Sequence, residues 1–201
     1  MLIAALVLFP PVSLPSYQTV RNSNILPYNI TDWLGLVAMI VALGFAVLGL
    51  VQLIKRKSLS RVDNSILVLG GFYLLVVAAY LFFEYNIVNY RPVLINSILE
   101  ASYPSSTTML VMCIMPTAMM QFHRLIQNKT VRIVVNILLG IFTILMIVGR
   151  MLSGVHWFTD ILGGMLISSA LVMLYHSVNV YIESKQTRQL GHSTNCRWKS
   201  M

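Results

Sequence analysis

The sequence predicts an all-α protein, an integral membrane bundle of five transmembrane helices preceded by a further apolar segment. Hydrophobic residues make up 57% of the 201 residues and charged residues only 10%, too little polar surface for a soluble globule. Apolar stretches of about 20 residues recur, the length that a helix needs to cross a bilayer. The net charge of +8 lies beside these stretches and not in a patch with interleaved aromatic residues. We therefore expect no nucleic acid partner.

The chain is expected to have three parts: an N-terminal apolar segment with its loop (1–30), a membrane-embedded domain (31–182) and a polar, loosely ordered cytoplasmic tail (183–201). The leading apolar residues 1–16 contain three prolines. They are either a curtailed first span or a signal-like or interfacial segment.

Five later segments are long and apolar enough to be predicted as transmembrane helices. In chain order they cover residues 33–54, 66–83, 105–121, 131–148 and 157–175.

Small residues in two of these segments predict close packing between helices. Gly70 and Gly71 lie together in the second segment. Gly163, Gly164 and Ser168 recur at near-helical spacing in the last one. The two cysteines lie in a span and in the tail, so neither a disulfide nor a cysteine-based metal site is expected.

The positions of the basic residues predict the orientation in the membrane. If successive segments cross the membrane in opposite directions, all of the 14 Lys and Arg residues except Arg21, Arg91 and Arg150 fall on one side of the membrane. By the positive-inside rule that side is cytoplasmic. Most of the acidic residues share the other side: Asp32, Glu84, Glu100 and Asp160. The chain therefore collects its unusual charges at the extracytoplasmic interface.

Residues 149–160 connect the last two segments and carry the first candidate site. His156 and Asp160 are four residues apart, so a helix that begins near His156 places both on one face, where the carboxylate fixes the imidazole tautomer. Arg150 lies upstream of a Ser-Gly pair that can bend the chain toward the same place. Phosphoryl transfer through a covalent histidine intermediate requires these groups. The alternative is that Arg150 and His156 only anchor a helix end at the interface.

Two more stretches reach the same interface. Pro92 disfavours a helical conformation at Arg91, so this guanidinium is expected to project from extended backbone. Residues 103–108 open the third segment with residues that cap helices, and a helix N-terminus with several hydroxyls is also an anion site. Its candidate phosphate ligands are Ser105, Ser106 and Thr107. The three stretches together predict a phosphate pocket.

The order of these motifs over residues 66–178 resembles the type-2 phosphatidic acid phosphatase and vanadium haloperoxidase superfamily. Its motifs read Lys-x6-Arg-Pro, Pro-Ser-Gly-His and Ser-Arg-x5-His-x3-Asp. Here they correspond to Arg91-Pro92, to Pro104-Ser105, and to Arg150, His156 and Asp160. The resemblance implies that His156 is the nucleophile, that Asp160 orients it and that Arg91, Ser105 and Arg150 bind phosphate. It implies neither a metal nor another cofactor.

The chain departs from these motifs at four positions. Glu84 stands in place of the lysine, Ser106 in place of the glycine, and Gly149 in place of the serine before the arginine. Thr107 replaces the histidine that would protonate the leaving group. Because the other histidines fall on the cytoplasmic side, the general acid is missing.

A general acid contributes about 10²- to 10⁴-fold, mostly where the leaving group is a poor one. A diphosphate expels a phosphate monoester, whose second pKa of about 6 lets it leave with little protonation. We therefore expect an extracytoplasmic membrane lipid phosphatase that prefers a lipid diphosphate, for instance a polyprenyl diphosphate. Glu84 or Glu100, protonated by partial burial, is the alternative acid. The second hypothesis is a catalytically silent relative that binds or transports phospholipids. The expected partners are the lipid substrate and the bilayer, and the oligomeric state is left open.

Overall fold

The computed structural model describes the backbone of residues 25–58, 62–92 and 100–199, with side chains described from 28 to 188 outside the two gaps. The predicted leading apolar segment lies outside the described residues.

The described part of the chain is helical, apart from one isolated bridge between Tyr90 and Ala101, and this confirms the predicted fold class. It contains five helices: α1 (Ile25–Arg56), α2 (Asn64–Tyr85), α3 (Ser106–Leu125), α4 (Lys129–Ser153) and α5 (Phe158–Lys199).

Helix α3 lies at the centre of the bundle and contacts the other four helices. Among the described residues, α1, α2, α4 and α5 are long and apolar enough to cross a membrane. Although α3 was predicted as a span as well, it does not reach that apolarity. It carries the fully buried Thr117 and Gln121, which neighbouring helices surround instead of lipid. A central helix can therefore be more polar than those that face the bilayer.

The connections between α3, α4 and α5 have local causes. Asn128 caps α4, since its side-chain oxygen accepts from the backbone N–H groups of Thr130 at 2.9 Å and Val131 at 3.2 Å. Helix α4 ends at Ser153 because Gly154 adopts a left-handed φ of 64°. The bend predicted at this Ser-Gly pair is confirmed.

The close packing predicted for α5 is also confirmed. A Cβ on Gly163 would collide with the ring of Tyr103, and one on Gly164 would lie 3.2 Å from the Ser105 carbonyl oxygen. The Ser168 hydroxyl donates to the Met109 carbonyl oxygen at 3.1 Å. These contacts hold the start of α3 against the first turns of α5.

The same prediction is wrong for Gly70 and Gly71 in α2. A Cβ at either position would meet no other atom within 4 Å. These glycines therefore face open space instead of a packed helix.

The expectation of a loosely ordered tail from Glu183 is also wrong, because α5 continues as helix to Lys199. The chain around Lys185 and Gln186 favours helix and contains no proline. Glu183 also forms an ion pair with Arg124 at the end of α3, which attaches this part of α5 to the bundle.

Candidate active site

The candidate site lies at the end of the bundle where α1, α3 and α5 begin and α2 and α4 end. A cavity of about 440 Å³ opens there. Its lining includes Glu84, Arg91, Glu100, Ser106 and His156. Stretches that are far apart in sequence therefore meet at one end of the bundle, as the sequence predicted.

His156 lies in the short turn between Gly154 and the start of α5 at Phe158. Its side chain is buried, with 7% exposed. Nδ1 lies 3.1 Å from the Ser102 carbonyl oxygen and 3.2 Å from the Ser102 hydroxyl. When Nδ1–H donates to that carbonyl, the lone pair of the ring is on Nε2, which has no hydrogen-bond partner among the described residues. The imidazole is thus held in a tautomer with a free nucleophilic nitrogen.

Asp160 does not contact His156 in the way that the spacing predicted. One of its carboxylate oxygens accepts from the Trp157 backbone N–H at 3.0 Å and from the Ser102 hydroxyl. No hydrogen bond joins Asp160 to His156 in the described structure. The prediction of direct pairing is wrong because α5 begins only at Phe158, so that His156 precedes the helix and the carboxylate caps it. Asp160 and His156 therefore share Ser102 as a common hydrogen-bond partner.

Arg150 is almost fully buried, with 2% exposed, at the end of α4. Its Nη2 donates to an Asp32 carboxylate oxygen at 2.9 Å and to the Thr107 hydroxyl. The ring of Tyr28 lies 5.3 Å from the guanidinium carbon. Nε and Nη1 are buried without a hydrogen-bond partner. Because unpaired buried donors on a cation are costly, this arrangement favours binding of an anion.

Arg91 shows the same pattern on a separate segment. Its Nη2 pairs with a Glu100 carboxylate oxygen at 3.1 Å, while Nε and Nη1 are buried without a partner. The backbone N–H of Arg91 donates to the Glu100 carbonyl oxygen at 3.1 Å, next to the isolated bridge. This extended conformation before Pro92 is the one predicted.

The electrostatic surroundings of His156 favour its neutral form. Burial lowers the pKa of the imidazole, and the positive charges of Arg91 and Arg150 lower it further, to about 3. The hydrogen bond to the Ser102 backbone opposes this shift only in part. A neutral imidazole between two cations keeps the lone pair that attack on phosphorus requires.

The three candidate ligands at the start of α3 have different surroundings. Ser106 lines the cavity. Ser105 is fully buried, with its hydroxyl accepting from Thr108 at 3.1 Å and its backbone N–H donating to the Asp160 carbonyl oxygen at 3.1 Å. The Thr107 hydroxyl is bound to Arg150. Of the three, only Ser106 lines the cavity.

The structure gives little support to the alternative acids. Glu84 lines the cavity but is exposed, so the burial that this hypothesis requires is not observed. Glu100 forms an ion pair with Arg91 and its side chain is 40% exposed.

One departure from the motifs has a packing reason. A Cβ on Gly149 would collide with the Thr31 side chain on α1. A serine here would therefore require the Thr31 side chain, next to Asp32, to shift.

Three residues of the site were not assigned a role from the sequence: Tyr28, Asp32 and Ser102. Asp32 and Arg150 are 118 residues apart, and no periodicity connects them. Ser102 lies in an irregular segment, where the hydrophobic pattern carries no information. The described residues contain no cluster of three or more His, Cys, Asp or Glu side chains suited to a metal ion.

The fold and this site define a multi-pass membrane protein with a buried histidine and two arginines at one end of its bundle. A model of the PAP2 superfamily matches residues 37–183, and the chain belongs to that family. The resemblance drawn from the motifs is thus confirmed. Family membership supports a membrane lipid phosphatase as the general class of function.

A comparison with solved structures agrees on the fold. The chain is similar to the first transmembrane PAP2-type phosphatidylglycerolphosphate phosphatase from Bacillus subtilis, with a TM-score of 0.52 and 21% sequence identity. The match covers 90% of this chain and 92% of that one. No curated protein matched the chain.

Proposed function

We propose that this protein hydrolyses a lipid phosphate, preferentially a lipid diphosphate, by transferring a phosphoryl group to His156 and then to water. The observation that carries the proposal is the set of four unpaired guanidinium nitrogens, two on Arg91 and two on Arg150. Both cations lie close enough to His156 to lower the pKa of its imidazole. This is the charge distribution that suits a phosphoryl group next to a nucleophile.

The proposed first step forms a bond between Nε2 of His156 and phosphorus. The phosphorus–oxygen bond to the leaving group breaks with its electron pair, and Arg91 and Arg150 stabilise the negative charge on the phosphoryl oxygens. The ring becomes cationic, and its Nδ1–H stays on the Ser102 carbonyl oxygen, which stabilises that charge. Asp160, through the Ser102 hydroxyl, contributes a negative charge nearby.

In the second step, water attacks phosphorus and the phosphorus–nitrogen bond breaks. The electron pair of that bond returns to Nε2 and inorganic phosphate is released. The neutral imidazole is thereby restored.

The preference for a diphosphate rests on the missing acid. Thr107 occupies the position of the general acid, and its hydroxyl is bound to Arg150. A phosphate monoester leaves with little protonation, whereas an alkoxide requires a proton. The lipid character of the substrate follows from the location, since a headgroup reaches the end of the bundle while its tails stay in the bilayer.

We place the site on the extracytoplasmic side. Basic residues at the opposite end of the bundle support this, among them Lys55 and Arg56 at the end of α1 and Lys129 at the start of α4. Positive charge favours the cytoplasmic side.

Steady-state rates in detergent test the proposal. We expect faster hydrolysis of a long-chain alkyl diphosphate than of phosphatidic acid, and loss of both activities in His156→Ala. His176→Ala, an exposed histidine on α5, serves as the matched control and is expected to keep full activity. A clear preference for the phosphomonoester would contradict the proposed substrate class.

A second candidate function is favoured by the contacts of Arg150. Arg150 binds Thr107, the residue that stands in place of the motif's general acid, and the loss of that acid is compatible with a protein that only binds or transports phospholipids. In that case the wild-type protein and His156→Ala would bind a lipid phosphate equally, and neither would hydrolyse it.

A further inference from the structure

Two apolar cavities follow the surface between α1 and α2. The first has a volume of about 680 Å³ and the second about 570 Å³. They share Ala46, Tyr73 and Val77 in their linings. The first cavity also shares Tyr80 with the polar cavity that His156 lines. The three cavities therefore form a series of adjoining spaces that extends from the candidate active site along the apolar part of the bundle. We call its apolar section the α1–α2 groove.

The length of the groove fits one hydrocarbon tail. Its lining on α2 extends from Tyr80 to Ile66, which corresponds to about 21 Å of helix. The hydrocarbon core of a bilayer is about 30 Å thick, so a tail from one leaflet occupies about half of it. The groove is thus deep enough for the tail of a lipid whose headgroup lies at the site.

The groove is open to the side. Ile40 and Leu43 on α1 and Leu74 on α2 line it and remain 66%, 63% and 73% exposed. These side chains face the surroundings of the bundle, where the bilayer lies. A tail can therefore enter the groove laterally without leaving the apolar phase.

Gly70 and Gly71 line the half of the groove that is farther from the site. A Cβ at either position would meet no other atom within 4 Å. At Gly49, in contrast, a Cβ would lie 3.0 Å from the Ile66 side chain, so α1 and α2 approach each other there. The two glycines keep open a space that any larger side chain would fill.

We propose that the α1–α2 groove binds the hydrocarbon tail of the lipid phosphate substrate and that Gly70 and Gly71 set the length of the tail it accepts. This inference rests on the proposed function, because Tyr80 lines both the groove and the cavity of the proposed phosphate site. A polar cavity lined by Arg91 and His156 beside an almost wholly apolar groove matches a molecule with a phosphorylated head and one long tail.

The first test compares tail lengths. Gly70→Leu and Gly71→Leu are expected to lower kcat/KM for hexadecyl diphosphate about tenfold, because a displaced tail misplaces the phosphoryl group. Both variants should hydrolyse hexyl diphosphate at the wild-type rate, since a short tail does not reach the glycines. Gly44→Leu is the matched control. Gly44 also has no atom within 4 Å of a Cβ, but it does not line the groove. Equal losses on both substrates, or no loss on either, would overturn the proposal.

The second test does not require turnover. A hexadecyl phosphate with a photoreactive diazirine at the end of its tail is cross-linked to His156→Ala, and the labelled peptides are identified by mass spectrometry. We expect labelling of the groove lining on α1 and α2. In the same His156→Ala protein, this labelling should be lost when Gly70→Leu is added and kept when Gly44→Leu is added. Labelling spread evenly over the lipid-facing helices would contradict a tail site. Labelling of residues 1–24, or of a second copy of the chain, without labelling of the groove would also contradict a tail site.

The two tests separate the two proposals. Groove labelling without hydrolysis of any diphosphate would contradict the proposed enzyme and support the tail site. Hydrolysis of both diphosphates with no effect of the leucine variants would support the enzyme and contradict the tail site.

Discussion

The two ends of the helical bundle differ in whether their buried polar side chains have hydrogen-bond partners. At the end away from the site, Gln121 donates to the Tyr175 hydroxyl at 2.6 Å and to the Ser65 carbonyl oxygen at 3.2 Å. The Ser65 hydroxyl donates back to the Gln121 side-chain oxygen at 2.9 Å. This network joins α2, α3 and α5 and leaves none of its side-chain atoms without a partner.

The site end is arranged differently. Of the six buried side-chain atoms that lack a partner in the described part of the chain, five belong to Arg91, Arg150 and Asp160. A satisfied network stabilises a fold, whereas unpaired buried donors reduce stability until a ligand binds. The paired Gln121 network is typical of a structural element, whereas the unpaired donors of the two arginines support the proposed anion site.

The largest expected effect is that of Arg150→Lys. Lysine keeps the charge and can still pair with Asp32, but it lacks the two unpaired guanidinium donors. We expect kcat/KM to fall about 10²- to 10³-fold, with little change in thermal unfolding. Arg132→Lys, on the same helix at the opposite end, is the control. Equal rates in the two variants would show that the unpaired donors do not bind substrate.

Ser102→Ala, also at the site end of the bundle, is expected to reduce the rate less than Arg150→Lys does. The backbone carbonyl of residue 102 still holds Nδ1 of His156, but the link to Asp160 is lost. We expect kcat to fall about 10- to 100-fold, as for other residues that orient a reactive group. Ser102→Thr keeps the hydroxyl and should restore most of the rate. If threonine and alanine give the same kcat, the hydroxyl has no part in orienting the imidazole.

Gln121→Leu tests the hydrogen-bond network at the end of the bundle away from the site. It leaves the hydroxyls of Ser65 and Tyr175 without their partner, so the free energy of unfolding should fall by about 1.5 kcal/mol. The rate per folded molecule should not change. Gln127→Leu, at an exposed position, is the control for the change of side chain. A loss of activity at unchanged stability would contradict the structural role of this network.

The smallest expected effect concerns pH. Because the pKa of His156 is lowered to about 3 in the fold, the unfolded chain binds a proton near pH 6.5 that the folded chain does not. The contribution of this group to stability is complete above pH 6.5 and decreases as the pH falls toward 3. At about pH 5.8 the loss amounts to about 1 kcal/mol.

Thermal unfolding in a buffer without phosphate measures this effect. The wild-type protein should lose about 1 kcal/mol more than His156→Gln between about pH 7.5 and pH 5.8. An equal loss in both proteins would show that His156 titrates normally.

Much of the fold could be predicted from the sequence because a bilayer demands long apolar helices. The least accurate boundary was the end of α5, at Lys199 instead of residue 175, followed by the start of α1. Helix α1 begins at Ile25, before the apolar stretch that begins at Trp33, since polar residues such as Asp32 can continue a helix beyond the membrane core. Gly70 and Gly71 show a second limit. Small residues in α5 pack against α3, whereas the glycines of α2 lie beside an open groove. The sequence pattern is the same in both helices, and only the position of the neighbouring helix determines which outcome occurs.

The site was predictable where its residues follow fixed spacings. Arg91, Arg150 and His156 could be assigned in this way. The direct contact predicted between Asp160 and His156 is wrong because the spacing does not show where α5 begins. Tyr28 and Asp32 precede residue 37, where the family match starts, so no family motif indicates their contact with Arg150.

In the proposed reaction, His156 carries the phosphoryl group during turnover. Rapid quenching in alkali of a reaction with a diphosphate labelled at its terminal phosphorus tests this directly. We predict label on the peptide that contains His156, no label in His156→Ala, and normal labelling in His176→Ala. Turnover by His156→Ala at the wild-type rate, or a label carried by any other residue, would contradict the account.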